Sequence, residues 1–418
     1  MSCAFRAGDA FEDSMSDSSV NTDRRHRRMR RNVVLLAACQ ALYMTGTSTV
    51  VAVTAIAGGS LAPSHGLATL PFSLQFLVTT ATTIPASLLM HRVGRRAGFL
   101  LGLGAGAIGA GLAAWGLFLH SFALFTVGSA VIGVLNGFAV FYRFAAADAA
   151  DEAFKSRAIS LVMAGGVVAA FTGPNLARLS MNWIGDVPFA GSFAVLIVVH
   201  LLAAMLLSGI DIPREKGGAV AVAARPIGAI VRNSIFVVAL GAAAAAYAGM
   251  NLVMTATPPA MLAHGHAFAS AAFVIQWHIF GMFAPSFFTG HLIARFGAPR
   301  MIAAGAALFM MCVGINLAGR DVMNFTVALL ALGVGWNFMF IGATTLLAKA
   351  YSPAEKAKVQ GLNDFVVFSG VAAASLASGA IENLFGWTAV NIAVVIPVML
   401  AGLAALWLGQ APRARLAR

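Results

Sequence analysis

Twelve apolar stretches, each of about bilayer length, decide what this chain can become. A hydrocarbon core about 30 Å thick takes about 20 helical residues to cross. With no water inside it, each backbone amide must be paired within its own segment. The stretches fall at 33–57, 67–90, 97–119, 122–147, 158–181, 188–209, 233–257, 268–294, 301–319, 322–348, 359–381 and 387–409. Each predicts one membrane-spanning helix, so the expected fold class is an all-α membrane protein. The composition agrees. Only 10% of the 418 residues are charged, against about a quarter in a soluble domain, and the mean hydropathy is +0.85.

The polar gaps set the organisation. The longest internal one, 210–232, divides the chain into six stretches and six, predicting an N-terminal bundle over 33–209 and a C-terminal bundle over 233–409. Residues 1–32 are expected to be a disordered basic tail, ending in the run from Arg24 to Arg31, and 410–418 a short second tail. If both termini are cytoplasmic, alternate connections hold Arg92, Arg95, Arg96, Lys155, Arg157, Arg214, Lys216, Arg225, Arg232, Arg295, Arg300, Lys349, Lys356 and Lys358. The opposite loops hold Arg320, with Arg178 at the end of a span. That asymmetry follows the positive-inside rule, and one miscounted helix would destroy it. A multi-pass protein of a bacterial inner membrane, with both termini inside and lipid as its surroundings, is the expectation.

The two sixes also match each other. Gln75 and Gln276, Asn136 and Asn337, Lys155 and Lys356, and Arg157 and Lys358 are each 201 positions apart. Arg92 and Gly94 recur as Arg295 and Gly297 at a spacing of 203, each time in a basic turn leaving an apolar stretch. Matches at nearly one offset predict a parallel duplication about an axis along the membrane normal, a plan that alternating-access carriers use.

Several other classes find no support. The net charge of +12 is spread over short gaps between spans, without the continuous basic face or stacking aromatics of a nucleic-acid binder. Cys3, Cys39 and Cys312 are too scattered for a disulfide framework or a metal site, and His264 with His266 offers no third ligand. Gly104, Gly106 and Gly109 fit a dinucleotide fingerprint, but they lie inside the third apolar stretch with no preceding strand, where small residues serve helix packing. No phosphate-binding loop, clustered acids or nucleophile–base pair suggests an enzyme or an ATP-driven pump. The expectation is no catalytic residue, no metal and no cofactor.

The turn Arg92, Gly94, Arg95 and Arg96 resembles the signature that joins the second and third helices of the major facilitator superfamily. The resemblance covers the chain from about Val33 to its end. Ser87 stands at that signature's first Gly and His91 at its acidic position. The second copy keeps Gly290, Arg295 and Gly297 but has Ala294 at the acidic position. Gly173-Pro174 resembles the core of an exporter motif whose first Gly is here Ala169, and Gly133 stands where proton-coupled drug exporters often carry Arg. The stretches 335–338 and 354–365 look like a bacterial subgroup to which riboflavin importers are similar. The resemblance implies two six-helix bundles, a monomer, and secondary transport of a small organic solute. Import of a neutral aromatic or vitamin-like compound such as riboflavin is the leading expectation. A proton-coupled exporter of drugs or metabolites is the alternative, and a non-transporting membrane sensor is the rival of another class.

Polar side chains at midspan are costly in lipid and should face a path or another helix. Tyr43, Gln75, Asn136, Tyr247, Asn251, Gln276, Trp277, Trp336 and Asn337 are the expected substrate-binding residues, a set in which amides orient and aromatics sandwich a flat ring. Thr45, Thr47, Ser48 and Thr255 lie on the same stretches. The competing reading is that the Gln and Asn pairs bond helix to helix. An inner gate is expected from Arg92 or Arg95 with Asp148 and Asp364. His278, which titrates near neutrality when unperturbed, is the candidate for carrying protons.

Overall fold

The computed structural model describes all residues except 1–4, 152–153, 155–157, 159–160, 211–224, 353–354 and 411–418. Among the described residues the regular structure is helical. In the N-terminal half the helices are α1 (Phe5–Leu61), α2 (Leu70–Val93), α3 (Arg95–Phe118), α4 (Phe122–Ala139), α5 (Tyr142–Ala149), α6 (Gly165–Ser180) and α7 (Ala190–Ser208). A short helix, α8 (Ile227–Ile230), precedes the C-terminal half. That half contains α9 (Ser234–Ala263), α10 (Phe268–Phe283), α11 (Ser286–Phe296), α12 (Ala298–Ala318), α13 (Val322–Leu347), α14 (Lys356–Ala393) and α15 (Val395–Gln410).

Among the described residues, nine helices are individually long and apolar enough to cross a bilayer. Three local features reconcile that number with the twelve apolar stretches. Pro285 lacks the amide hydrogen that would continue α10, so the eighth stretch bends by 44° into α11. The apolar run Lys358–Gln410 contains a break at Gly386, whose φ of 77° and ψ of 177° leave the helical region. Before that break α14 approaches the loop at Gly66. After it, Trp387 meets Phe325 at the start of α13, and Gly409 returns to Pro299. The chain therefore reverses at Gly386, giving the eleventh and twelfth spans. The fifth stretch is represented by α6, 16 residues long, and part of its start lies outside the described residues.

One expectation is corrected in detail. The residues from Phe5 onward continue the first helix instead of forming a separate irregular tail. Ala, Met and Arg are good helix formers, and a helix already nucleated in the span extends at little cost. The fourth stretch is a single span, Phe122–Ala146, with a local turn at Val140–Phe141 that divides it into α4 and α5.

Within each half the helices approach closely through small residues. Gly109 on α3 faces the backbone of Gly128 and Ile132 on α4, and Gly305 on α12 faces Gly335 on α13. These are corresponding helix pairs of the two repeats. Gly106 lies against Leu135, so the dinucleotide-like fingerprint is a packing seam. The basic turns are also duplicated in conformation. Gly94 has φ 92° and ψ 158°, and Gly297 has φ 86° and ψ 150°, a region that is essentially reserved for glycine.

Contacts between the halves run from the middle of the spans to the end away from Arg225. There α6 packs along α10 and α2 along α14. Thr69 meets Gly379, Phe189 meets Phe268 at 5.1 Å between ring centres, and Gly166 faces Phe283. We call this the far end, and the end bearing Arg225 the linker end.

Candidate functional site

An aromatic shelf forms where α9, α10, α13 and α14 converge. Trp336 and Phe340, one helical turn apart on α13, stack with centroids 5.1 Å apart and planes within 10°. Tyr247 of α9 stands edge-on to both, at 5.3 Å from each centroid. Phe368 of α14 adds an edge at 5.9 Å and Phe283 of α10 another at 6.3 Å. Trp336 is buried at the back of the shelf, and its indole Nε1 has no partner. Tyr247, Phe340 and Phe368 are half-buried and present the open side. Edge-to-face pairs of this kind hold one another in place, so the rings make a preformed surface.

The N-terminal half offers Tyr43 in return. Its ring lies 6.3 Å from Tyr142, which packs on Phe99 at 4.5 Å. Tyr43 is carried by α1, which packs on α9, the helix that carries Tyr247. Tyr142 is fully buried with an unpartnered hydroxyl. Gln75 of α2 is buried with Oε1 unpartnered, and Asn136 of α4 is 7% exposed.

Other expected binding residues are placed differently. Asn337 is fully buried inside the C-terminal half. Its amide donates to the carbonyl of Met282 and to Ser286 Oγ, each at 2.7 Å, and accepts from Thr289 Oγ1 at 2.6 Å. All of these partners flank the Pro285 bend, where the broken helix leaves groups to satisfy. The amide is thus engaged with the bend. Asn251 donates to the Val371 carbonyl at 3.3 Å, leaving Oδ1 unpartnered. Gln276 accepts from Asn175 of α6 at 2.8 Å, a bond between the halves, and Trp277 beside it packs edge-on to Phe171 of α6 at 6.2 Å. These two residues belong to the far-end contact between α6 and α10. A cavity of about 270 Å³ sits in that contact, lined by Pro174, Asn175, Arg178, Ala269, Ala272, Phe273 and Gln276, apart from the aromatic shelf. His278 is fully buried, with Nδ1 2.8 Å from the Leu329 carbonyl and Nε2 unpartnered.

The charged residues fall into three groups. Arg95 donates to Asp148 at 2.7 Å and lies 5.9 Å from the Phe141 ring, so this pair clamps α3 to α5 within the N-terminal half and does not bridge the halves. Arg92 is exposed at the end of α2. Arg225 makes a two-pronged contact with Glu355, Nε to Oε1 at 2.6 Å and a terminal nitrogen to Oε2 at 2.9 Å. Its backbone amide also donates to Oε1 at 3.1 Å. The bidentate pair, followed by the Ser352 amide, holds the Glu355 carboxyl well below the usual carboxylate range and raises Arg225 in turn. It ties the end of the 210–232 connection to the C-terminal half. Asp364 on α14 accepts a bond from its neighbour Asn363 at 3.1 Å.

Sequence reasoning omitted Phe340, Phe368 and Phe283 from the site. With 30 phenylalanines in an apolar chain, a single Phe carries little signal. The usable cue was helical spacing from residues already singled out, Trp336 to Phe340 and Asp364 to Phe368.

Comparison with known proteins now bears on this arrangement. The family profile described as Major Facilitator Superfamily matches residues 36–275 and 239–418. A riboflavin transporter of Brucella anthropi, RfnT, is 42% identical over 386 residues, which cover 92% of this chain and 97% of that one. An uncharacterized transporter of Bacillus subtilis, YdeG, is 28% identical over 379 residues, covering 84% and 86%. Among solved structures, the human organic anion transporter MFSD10 superposes with a TM-score of 0.64 at 13% identity, covering 90% of this chain and 99% of that one. The transporter FucP in its outward conformation gives 0.61 at 16% identity, covering 91% and 99%. At such low identities these two structures speak for the fold alone.

Proposed function

Because the chain belongs to the Major Facilitator Superfamily, we propose that it imports riboflavin across the bacterial inner membrane by alternating access between its two halves. The observation that carries this reading is the likeness to the Brucella anthropi riboflavin transporter along nearly the whole of both chains. The site chemistry supports it. Riboflavin is neutral, with a flat three-ring body and a hydroxylated chain. A shelf of Tyr247, Phe340 and Phe368 backed by Trp336 suits the body, and α1, which carries Tyr43, packs on α9 from the other half. Gln75, Asn136 and Asn251 supply amides in the surrounding spans for the hydroxyls. With both termini and the linker end in the cytoplasm, the contacts described between the halves close the outer side.

The test is uptake of labelled riboflavin by a bacterium lacking its own uptake system, paired with quenching of riboflavin fluorescence by the purified protein. Wild-type protein should restore uptake. Tyr247→Leu should weaken binding about two- to twelvefold, the loss expected from about 0.5–1.5 kcal/mol of ring contact. Absence of both uptake and quenching in well-folded wild-type protein rejects riboflavin as the substrate. An ionophore arm reports the driving gradient. In the same assay His278→Gln shows whether that imidazole carries the proton, and an unchanged pH profile of uptake rules it out.

A further inference from the structure

In the far-end cavity between α6 and α10, the bonds among the polar side chains leave only donors free. Asn175 donates through Nδ2 to the Phe171 carbonyl at 2.8 Å, and because that oxygen can only accept, the contact fixes which way the amide points. The other Nδ2 hydrogen goes to Gln276 Oε1 at 2.8 Å, and Asn175 Oδ1 takes a guanidinium N–H of Arg178 at 3.3 Å. Both amide oxygens are therefore engaged. What remains for the cavity is the Nε2 group of Gln276, which has no partner among the described residues, and the rest of the Arg178 guanidinium. No carboxylate lines the cavity, and among the described residues none pairs with Arg178. A cation in the last turn of α6 also suits the helix dipole, but that does not account for a second free donor supplied by the other half. Free donors gathered around a guanidinium make an anion site. At about 270 Å³ the cavity has room for several waters, so a polyatomic group fits. Arg178 lies two residues from the end of α6, about 3 Å along its axis, at the level where a span meets headgroups. The same two helices expose Phe171, Leu179 and Phe273 beside it, an apolar flank that suits hydrocarbon.

We propose that this cavity holds the phosphate of an anionic phospholipid, with Arg178 of one half and Gln276 of the other donating to its oxygens and an acyl chain lying against Phe273. A soluble phosphate ester shares the headgroup chemistry, and the apolar flank selects the lipid. The site stands apart from the riboflavin reading, whose solute is neutral and whose shelf lies elsewhere. A headgroup held in this way adds a second link between α6 and α10, beside the Asn175–Gln276 bond.

The experiment titrates the whole protein, delipidated in neutral detergent, with phosphatidylglycerol, with phosphatidylcholine of the same chains and with glycerol phosphate, and reads bound ligand by native mass spectrometry. Wild-type protein should bind phosphatidylglycerol about fivefold more tightly than phosphatidylcholine, the factor that one basic side chain contributes at an anionic lipid surface. Arg178→Gln should erase that preference. Gln276→Glu keeps an oxygen to accept from Asn175 but turns the free donor into a carboxylate, so it should erase the preference as well. Arg92→Gln, which removes an exposed cation at the linker end, should keep it. A cooperative thermal transition in each variant checks that it is folded. Equal binding of the two lipids by wild-type protein overturns the proposal without any variant. An undiminished preference in folded Arg178→Gln also overturns it, and so does an equal loss in Arg92→Gln, which would mean a diffuse attraction to the basic surface. Glycerol phosphate that expels the lipid and depends on Arg178 in the same way overturns the lipid assignment in favour of a soluble phosphate ester.

Discussion

Asn136 and Asn337 show how far a residue can be read without its surroundings. They occupy matching positions of the two repeats and look interchangeable in the sequence. Asn337 is fully buried and makes three bonds around the Pro285 bend, whereas Asn136 is buried beside α2 with none of those partners. Interhelical bonds in membranes average about 0.6 kcal/mol each, but stranding buried partners adds their desolvation cost. Asn337→Leu leaves the Met282 carbonyl, Ser286 and Thr289 without that amide. The variant should be destabilised by about 1–3 kcal/mol, measured as a shift in its denaturation curve in mixed detergent micelles, while the folded fraction keeps most of its affinity for riboflavin. A wild-type denaturation curve paired with lost affinity would instead place Asn337 in contact with substrate. The aromatic shelf illustrates the same limit: Tyr247 and Trp336 stand out as rare residues at midspan, but Phe340 and Phe368 become meaningful only once their helices meet.

At the scale of helices and turns, the sequence is more informative because bilayer thickness fixes span length. The apolar stretches locate the spans, and the Arg-Gly turns locate two connections whose backbone geometry turns out nearly the same in both halves. What sequence periodicity hid were interruptions inside apolar runs: the turn at Val140–Phe141, the 44° bend at Pro285 and the reversal at Gly386. Local backbone geometry decides these, and hydrophobicity does not register it. The Gly94 turn provides a direct test. A side chain at φ 92° and ψ 158° is strained by about 1–3 kcal/mol, so Gly94→Ala should lower the thermal midpoint, as should Gly297→Ala in the other half. Gly104→Ala, in the same helix as the packing seam but with nothing within 4 Å of an added Cβ, should leave the midpoint nearly unchanged. Equal behaviour of the Gly94 and Gly104 variants would contradict the conformational argument.

For the whole molecule, the strongest polar contacts lie within halves. Arg95–Asp148 fastens the N-terminal half, and Arg225–Glu355 fastens the connection to the C-terminal half. Glycine-lined seams then bring helices of one half close together, while the halves meet through the α6–α10 and α2–α14 contacts. Firm halves with a limited shared contact are what rocking requires, since only the contact must change between states. In the proposed orientation, the Asn175–Gln276 bond and the Phe171 ring beside Trp277 and Phe280 would form an outer closure that must separate when the far end opens. Asn175→Cys with Gln276→Cys, in a chain whose Cys3, Cys39 and Cys312 are replaced, should be joined by a short thiol-specific cross-linker. The joined protein should stop riboflavin uptake and still quench riboflavin added at the linker end, because the cross-link holds only the far end. The same double variant without cross-linker should transport, which separates loss of motion from loss of the two amides. Continued uptake by fully joined protein would mean that α6 and α10 never part, and that these halves do not work by rocking.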